Sequence, residues 1–169
     1  MSVALNIGGN SNAGQPEDLK TRYLTSLKLI ERLHRLLLDL VKDEFERLCR
    51  SDMNSVQALL LYNIGAAELT AGELTSRGYY LGSNVSYNLK KLVEAGYISH
   101  QRSTTDRRSV RVRLTEKGQD VCEVVKGLYR RQLKSLHQVG GVDSNELETL
   151  NKSLIKLERF WTDQIRYRL

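Results

Sequence analysis

The 169-residue chain is poor in cysteine, proline and aromatic residues. Its two cysteines, Cys49 and Cys122, lie far apart and neither belongs to a C-x-x-C pair, so neither a zinc knuckle nor a disulfide scaffold is indicated. One proline and 7% aromatic residues accompany 40% apolar and 27% charged residues. This composition is typical of a soluble protein rich in helix formers and excludes a fibrous or disordered chain.

The sequence also lacks long apolar runs and catalytic motifs. No stretch approaches the ~18 uninterrupted apolar residues that a membrane span needs, and the start of the chain does not resemble a signal peptide, so we expect a cytoplasmic protein. His34, His100 and His137 stand alone, outside any H-E-x-x-H, G-x-S-x-G or phosphate-loop motif. We therefore predict no enzymatic activity, no cofactor and no metal site.

Positive charge is concentrated in the middle of the chain. Residues 77–113 contain eight Lys or Arg and two Asp or Glu, so this segment carries a charge equal to the formal net charge of +6 of the whole protein. Such a concentration is typical of a surface that contacts phosphate groups. A basic face that is merely solvated is the alternative interpretation.

The first part of the chain divides into an arm and one long helix. Residues 1–16 are rich in Gly, Asn and Ser and have no apolar periodicity, which predicts a flexible arm. Apolar residues recur every three or four positions over residues 17–50, which predicts a long amphipathic helix. This apolar stripe is too long for a winged helix of ~65 residues to cover. A self-contained bundle is the alternative, but we favour a homodimer in which the terminal helices of two chains cover the stripe.

Capping signals predict the other helices. At three predicted helix starts an Asn, Thr or Asp is followed three residues later by Gln or Glu, which forms a capping box. These pairs are Asn54 with Gln57, Thr70 with Glu73, and Asp143 with Glu146. Ser83 and Thr115 are the predicted caps of two further helices, and Gly78, Gly96 and Gly140 are the predicted stops.

A basic hairpin follows the helix predicted over residues 84–95. Tyr97 and Ile98 on one side, and Val110, Val112 and Leu114 on the other, alternate with polar residues and predict two strands. The order helix, turn, helix, wing defines a winged helix-turn-helix over residues 51–115. The predicted fold class is mainly α with a small β-hairpin wing (α+β), and residues 17–50 and 116–169 form the predicted helical dimerisation region.

The second helix of this motif exposes small polar and basic residues that suit the ~12 Å major groove of DNA. Asn88, Lys90 and Lys91 can hydrogen-bond base edges or phosphates, and Tyr87 can stack on a sugar or a thymine methyl group. An arginine at the tip of the wing suits the narrow minor groove of A·T-rich DNA.

The segment from Asp106 to Gly118, DRRSVRVRLTEKG, resembles the D-x-R-S wing and the L-T-x-x-G exit of the MarR family of transcriptional regulators. The order of elements matches over residues 17–169. The resemblance implies a homodimer on a pseudo-palindromic promoter site and a small amphipathic or phenolic effector. Within the family, the amino-acid sequence and the chain length resemble those of a regulator of L,D-transpeptidase expression in cell-wall remodelling.

Carried over residue by residue, the resemblance makes Arg107 the wing-tip arginine and gives Asp106 the task of holding the tip in shape. Arg111 and Arg113 alternate with the apolar residues of their strand. Their side chains could contact phosphates or simply be solvated, and both interpretations stay open. The predicted DNA-binding residues are Ser83, Asn84, Ser86, Tyr87, Asn88, Lys90, Lys91, Arg102, Arg107 and Arg108.

The sequence leaves open where an effector binds and which of two alternative functions applies. The candidate effector-binding residues are Leu38, Val41, Phe45, Leu61 and Ile64, although for each of them singly core packing is the favoured explanation. A redox sensor is an alternative, because Arg47 and Arg50 flank Cys49 and could lower the pKa of its thiol if it is exposed. A non-specific architectural or interaction module is the other alternative, and it would bind DNA without sequence preference.

Overall fold

The computed structural model describes residues 16–50, 52–76, 82–102 and 110–167. This part of the chain forms six α-helices and three β-strands. In chain order they are α1 (Pro16–Arg47), α2 (Ser55–Ile64), β1 (Leu69–Thr70), α3 (Ala71–Ser76), α4 (Gly82–Glu94), β2 (Ile98–Arg102), β3 (Val110–Leu114), α5 (Glu116–Gly140) and α6 (Ser144–Tyr167). The predicted arm lies outside the described residues except for Pro16, which begins α1 because its fixed φ suits a first helical turn.

All three predicted capping boxes are confirmed. In each box the backbone N–H of the later residue donates to the side chain of the earlier one, and the later side chain accepts from the earlier backbone N–H. The donor–acceptor distances are 2.9 and 3.3 Å for Asn54 with Gln57, 3.1 and 2.6 Å for Thr70 with Glu73, and 2.8 and 2.9 Å for Asp143 with Glu146. Thr115 is confirmed as the N-cap of α5, since its hydroxyl accepts from the N–H of Gly118 at 3.2 Å.

Several helix boundaries differ from the prediction by a few residues, and two of them concern residues named above. Helix α4 begins at Gly82, so Ser83 lies inside the first turn and is not the cap. Helix α1 ends at Arg47 and not at residue 50, because the N–H of Arg50 turns back to the carbonyl of Phe45 at 2.9 Å. That bond is a helix-terminating contact, and it places Cys49 at a φ of 54°.

The predicted two-stranded hairpin is part of a three-stranded antiparallel sheet in the order β1-β3-β2. Leu69 pairs with Val112 and Thr70 with Arg111, which adds β1 to the free edge of β3. The prediction missed β1 because a strand of two residues has no measurable alternation. The predicted alternation on β3 is confirmed, since Val112 and Leu114 are buried and Arg111 and Arg113 are exposed.

One hydrophobic core joins the winged helix to parts of the long helices. The buried apolar side chains of α2, α4 and the sheet pack with Val121 and Val125 of α5. The buried residues of α1 are Val41, Glu44 and Phe45, all in its C-terminal third, and none of the described residues of α6 is buried. The core therefore supports α4 and the wing, and it leaves most of α1 and α6 uncovered.

Candidate nucleic-acid interface

Helix α4 is anchored on one face and exposed on the other. Leu89 and Leu92 are 7% and 2% exposed, in the core. On the other side of the helix Tyr87 is 63% exposed, Ser86 and Lys90 are exposed, and Asn88 is half-buried. The structure thus holds the helix by its apolar stripe and presents a polar, basic face to solvent.

The two lysines of this surface are only loosely engaged. The Nζ atoms of Lys90 and Lys91 each lie 3.9 Å from a carboxylate oxygen of Glu94, and the Lys91 Nζ lies 6.0 Å from the centre of the Tyr87 ring. Exposed pairs at this distance contribute little and are screened by salt. Both ammonium groups can therefore exchange Glu94 for a phosphate at small cost.

The other predicted DNA-binding residues lie near the ends of α4 and β2 or beyond the described part of the chain. Ser83 and Asn84 belong to the first turn of α4, and Arg102 is the last residue of β2. Arg107 and Arg108 lie outside the described residues, as does Asp106.

Strand β3, which is part of the wing, adds an exposed basic side chain outside α4. The Nε of Arg111 lies 4.0 Å from a carboxylate oxygen of Glu68, the residue that precedes β1. Sequence spacing could not reveal this pair, because the missed strand β1 is what brings Glu68 to β3.

The candidate effector residues are mostly core residues. Val41, Phe45, Leu61 and Ile64 are between 0% and 4% exposed, and Leu38 packs against them. Two of them reach a surface cavity of about 250 Å³ at the end of α1. Its lining comprises Val41, Lys42, Phe45, Glu46, Arg50, Met53, Asn54 and Ser55. Leu61 and Ile64 are instead held inside the core.

The two cysteines differ in environment. Cys122 is buried and its Sγ donates to the carbonyl of Leu61 at 3.2 Å. Burial raises the pKa of its thiol, which disfavours the reactive thiolate. Cys49 is exposed at the turn after α1. The packing of Cys122 is that of a structural residue, and the redox alternative rests on Cys49 alone.

A buried carboxylate joins α1 to α5, and no pattern in the sequence indicated it. Glu44 is 7% exposed, and its Oε1 lies 2.7 Å from Arg47 Nη2 and 2.5 Å from Arg131 Nη2. Hydrogen bonds from Arg47, and secondarily Arg131, hold the pKa of Glu44 below its usual value despite the opposing effect of burial. Position 44 falls inside the apolar stripe of α1, three residues after Val41, but its partner Arg131 lies on α5, and spacing within one helix does not record that contact.

Apolar side chains on α1 and α6 form an uncovered groove of about 320 Å³. The lining residues are Ser26, Leu29, Ile30, Leu33, Leu150, Ser153, Leu154 and Leu157. Leu33 is 58% exposed and Leu29 41%. Near one end the indole Nε1 of Trp161 donates to the hydroxyl of Tyr23 at 3.2 Å and links the two helices.

The described residues contain neither a candidate metal site nor a candidate membrane-spanning helix. Among residues 16–50, 52–76, 82–102 and 110–167, no three His, Cys, Asp or Glu side chains are grouped closely enough to hold a metal ion. No helix within those same ranges is long and apolar enough to cross a membrane.

Comparison with known proteins identifies the class. A family model described as a winged helix DNA-binding domain matches residues 53–118. The chain is 39% identical over 155 residues to the exopolysaccharide II synthesis transcriptional activator ExpG of Rhizobium meliloti (strain 1021), covering 89% of this chain and 77% of that protein. The fold and these matches define a winged-helix DNA-binding protein.

Solved structures agree with this class. The transcriptional regulator SlyA has a TM-score of 0.71 at 19% identity, covering 85% of this chain and 98% of that one. A mutant MarR from E. coli complexed with operator DNA has a TM-score of 0.64 at 23% identity, and the match covers 80% of this chain and 95% of that one. The chain belongs to the MarR family of transcriptional regulators. It is a DNA-binding regulator of the MarR type, as the wing sequence predicted.

Proposed function

We propose that the protein is a homodimeric, sequence-specific regulator that binds a pseudo-palindromic promoter site with one α4 helix in each half-site. The observation that carries the proposal is that α4 exposes a polar, basic face while α1 and α6 leave apolar faces uncovered. A twofold dimer joined through α1 and α6 would set two α4 helices about one turn of DNA apart, ~34 Å.

In this proposal α4 enters the major groove and the wing follows the adjacent minor groove. Asn88 reads base edges, Lys90 and Lys91 bind phosphates or bases, and Tyr87 stacks on a sugar or a thymine methyl group. The exposure of Tyr87 and Lys90 supports this orientation. The remaining proposed contacts are Ser83, Asn84 and Ser86 on α4, and Arg102, Arg107 and Arg108 of the wing.

We further propose that a small amphipathic or phenolic effector tunes DNA binding. The cavity at the end of α1 supports this, since it combines apolar walls from Val41 and Phe45 with a charged rim from Lys42, Glu46 and Arg50. A ligand there would release DNA only if it bound the DNA-incompetent spacing of the dimer more tightly. Titration of the operator complex with a panel of substituted phenols tests this, and release at saturating phenol is the expected result.

The proposed target genes are those for cell-surface polymers, including L,D-transpeptidase genes of cell-wall remodelling. The 39% identity to an activator of exopolysaccharide II synthesis supports envelope-related targets. Once an operator is known, its occurrences in promoters identify the regulated genes directly.

Selection of random duplex DNA on the purified protein, followed by sequencing and by mass determination of the complex, tests the proposed function. We expect an inverted repeat with half-sites about ten base pairs apart, bound by two chains. Enrichment of no sequence, with binding that weakens uniformly as salt rises, would instead indicate a non-specific architectural protein.

A further inference from the structure

The three residues that join α4 to β2 are bound by the start of α5. We name this segment the connector; it comprises Ala95, Gly96 and Tyr97. The Nζ of Lys117 donates to the Ala95 carbonyl at 3.1 Å, the hydroxyl of Thr115 donates to the Gly96 carbonyl at 2.8 Å, and the N–H of Thr115 donates to the Tyr97 carbonyl at 3.1 Å. Every carbonyl of the connector therefore has a donor from α5 or its cap.

The backbone of α5 also touches the connector directly. A Cβ atom added to Gly118 would lie 2.3 Å from the carbonyl oxygen of Tyr97. Only glycine permits so close an approach without moving the backbone. The exit of α4 is thus fixed against the first turn of α5.

The side chain of Tyr97 reaches in another direction, to the turn between α1 and α2. Tyr97 is 1% exposed, and its hydroxyl donates to the carboxylate of Asp52 in that turn. The ammonium group of Lys117 lies 4.0 Å from the centre of the Tyr97 ring, within the range of a cation–π contact. One buried ring therefore links the connector both to α5 and to the end of α1.

The protonation states of this pair are fixed near neutral pH. The hydrogen bond from Tyr97 lowers the pKa of the Asp52 carboxyl, and burial, with Asp52 next, raises the pKa of the Tyr97 hydroxyl. Asp52 accordingly accepts as a carboxylate and Tyr97 keeps its proton to donate. The link is a charge-assisted hydrogen bond, stronger than one between neutral groups.

We propose that Tyr97, Asp52 and Lys117 are positioning residues for operator recognition, which hold α4 at a fixed angle to α1 and α5. The inference rests on the proposed function, in which α4 reads the operator and α1 belongs to the dimer interface. Because Tyr97 is buried, it acts on DNA only through the helix whose exit it holds. Specific recognition requires several base contacts in register, whereas non-specific binding needs only positive charge near phosphates.

Tyr97→Phe tests the proposal, because it removes the hydroxyl and keeps the ring and its contact with Lys117. We measure Kd on the selected operator and on a scrambled duplex at the same salt concentration, together with the melting temperature. We expect the operator Kd to rise about fivefold, as for the loss of one hydrogen bond, and the scrambled-duplex Kd to stay unchanged. Tyr129→Phe is the matched control: it makes the same change in a ring that packs edge-on against Tyr62, away from the connector, and should leave both Kd values unchanged.

Two further variants guard against an unfolded Tyr97→Phe protein. Asp52→Ala removes the acceptor and keeps Tyr97, so it should raise the operator Kd and leave the scrambled-duplex Kd unchanged. Where both single variants fold, the double variant should bind the operator no more weakly than Asp52→Ala alone. Lys117 is an exposed residue, so Lys117→Met should leave the core intact while it removes the ammonium group that donates to the Ala95 carbonyl, and it should weaken operator binding more than scrambled binding.

Two results would overturn the inference. If the wild-type protein binds all DNA sequences equally, the proposed function is wrong, and so is this inference, which rests on it. If the wild-type protein prefers the operator and the Tyr97→Phe and Lys117→Met variants keep the full preference, with or without a lower melting temperature, only the positioning role is wrong.

Discussion

Cys49 occupies a backbone position that favours glycine, because its φ of 54° lies in the left-handed region. The hydrogen bond from Arg50 to Phe45 that ends α1 requires this conformation. Replacing Cys49 with Gly removes the steric cost of the Cβ atom. We expect Cys49→Gly to raise the free energy of unfolding by about 1 kcal/mol, measured by urea denaturation.

Cys49→Ala is the matched control for this change. It also removes the thiol but keeps a Cβ atom at the same φ, so stability should stay close to that of the wild type. An equal gain in both variants would show that the thiol, and not the backbone angle, carries the cost.

The buried carboxylate of Glu44 stabilises the contact between α1 and α5 through Arg47 and Arg131. Glu44→Gln keeps the shape and removes the charge, so we expect the free energy of unfolding at pH 7 to fall by about 1–2 kcal/mol. Glu46→Gln is the control, since Glu46 is exposed and its oxygen lies 3.6 Å from Lys42. That variant should be within a few tenths of a kcal/mol of the wild type.

The stabilising effect of Glu44 has a defined pH dependence. Its pKa is lowered in the folded protein, so the carboxylate contributes fully above the ordinary glutamate pKa of about 4.3. The contribution is lost as pH falls through the lowered folded-state pKa. Urea denaturation should therefore show the difference between wild type and Glu44→Gln shrinking below about pH 4.3. A difference that stayed constant down to pH 2 would contradict the ion-pair explanation.

At the scale of elements, local chemistry made the helices predictable and the sheet only partly so. The capping boxes at Asn54, Thr70 and Asp143 need only residues three positions apart, so the sequence predicted their form as well as their place. Strand β1 forms because β3 offers it an edge, which no local pattern records. The pairing of Arg111 with Glu68 was not predicted either, because it depends on β1 lying beside β3.

Helix α4 carries the prediction that tests its role directly. If Lys90 binds a phosphate, Lys90→Ala should reduce the slope of log K against log salt by about one unit for each phosphate that a protomer no longer neutralises. Lys152→Ala on α6 is the control, since Lys152 also pairs with a glutamate in its own helix and is comparably exposed. Fluorescence anisotropy across a salt series measures both slopes. An unchanged slope for Lys90→Ala would place this lysine away from the DNA backbone.

At the scale of the whole molecule, tertiary contacts decide what the sequence left open. Periodicity identified the apolar stripe of α1, but it could not say that Val41 and Phe45 enter the core while Leu29 and Leu33 stay exposed. The link from Tyr97 to Asp52 spans 45 positions and has no motif. Contacts over such distances depend on how the helices pack, which is a property of the complete fold.

The uncovered groove on α1 and α6 makes a prediction about assembly. Leu33 lines the groove and is 58% exposed in the single chain, so Leu33→Lys should leave the protomer folded while placing a charge in the proposed dimer interface. We expect its mass in light scattering to fall from two chains to one at micromolar concentration, with circular dichroism unchanged. Leu48→Lys, at an exposed leucine beyond the end of α1 and outside the groove lining, should remain a dimer. A Leu33→Lys protein that stayed dimeric would mean that another surface joins the protomers, and the spacing of the two α4 helices would then follow from that surface.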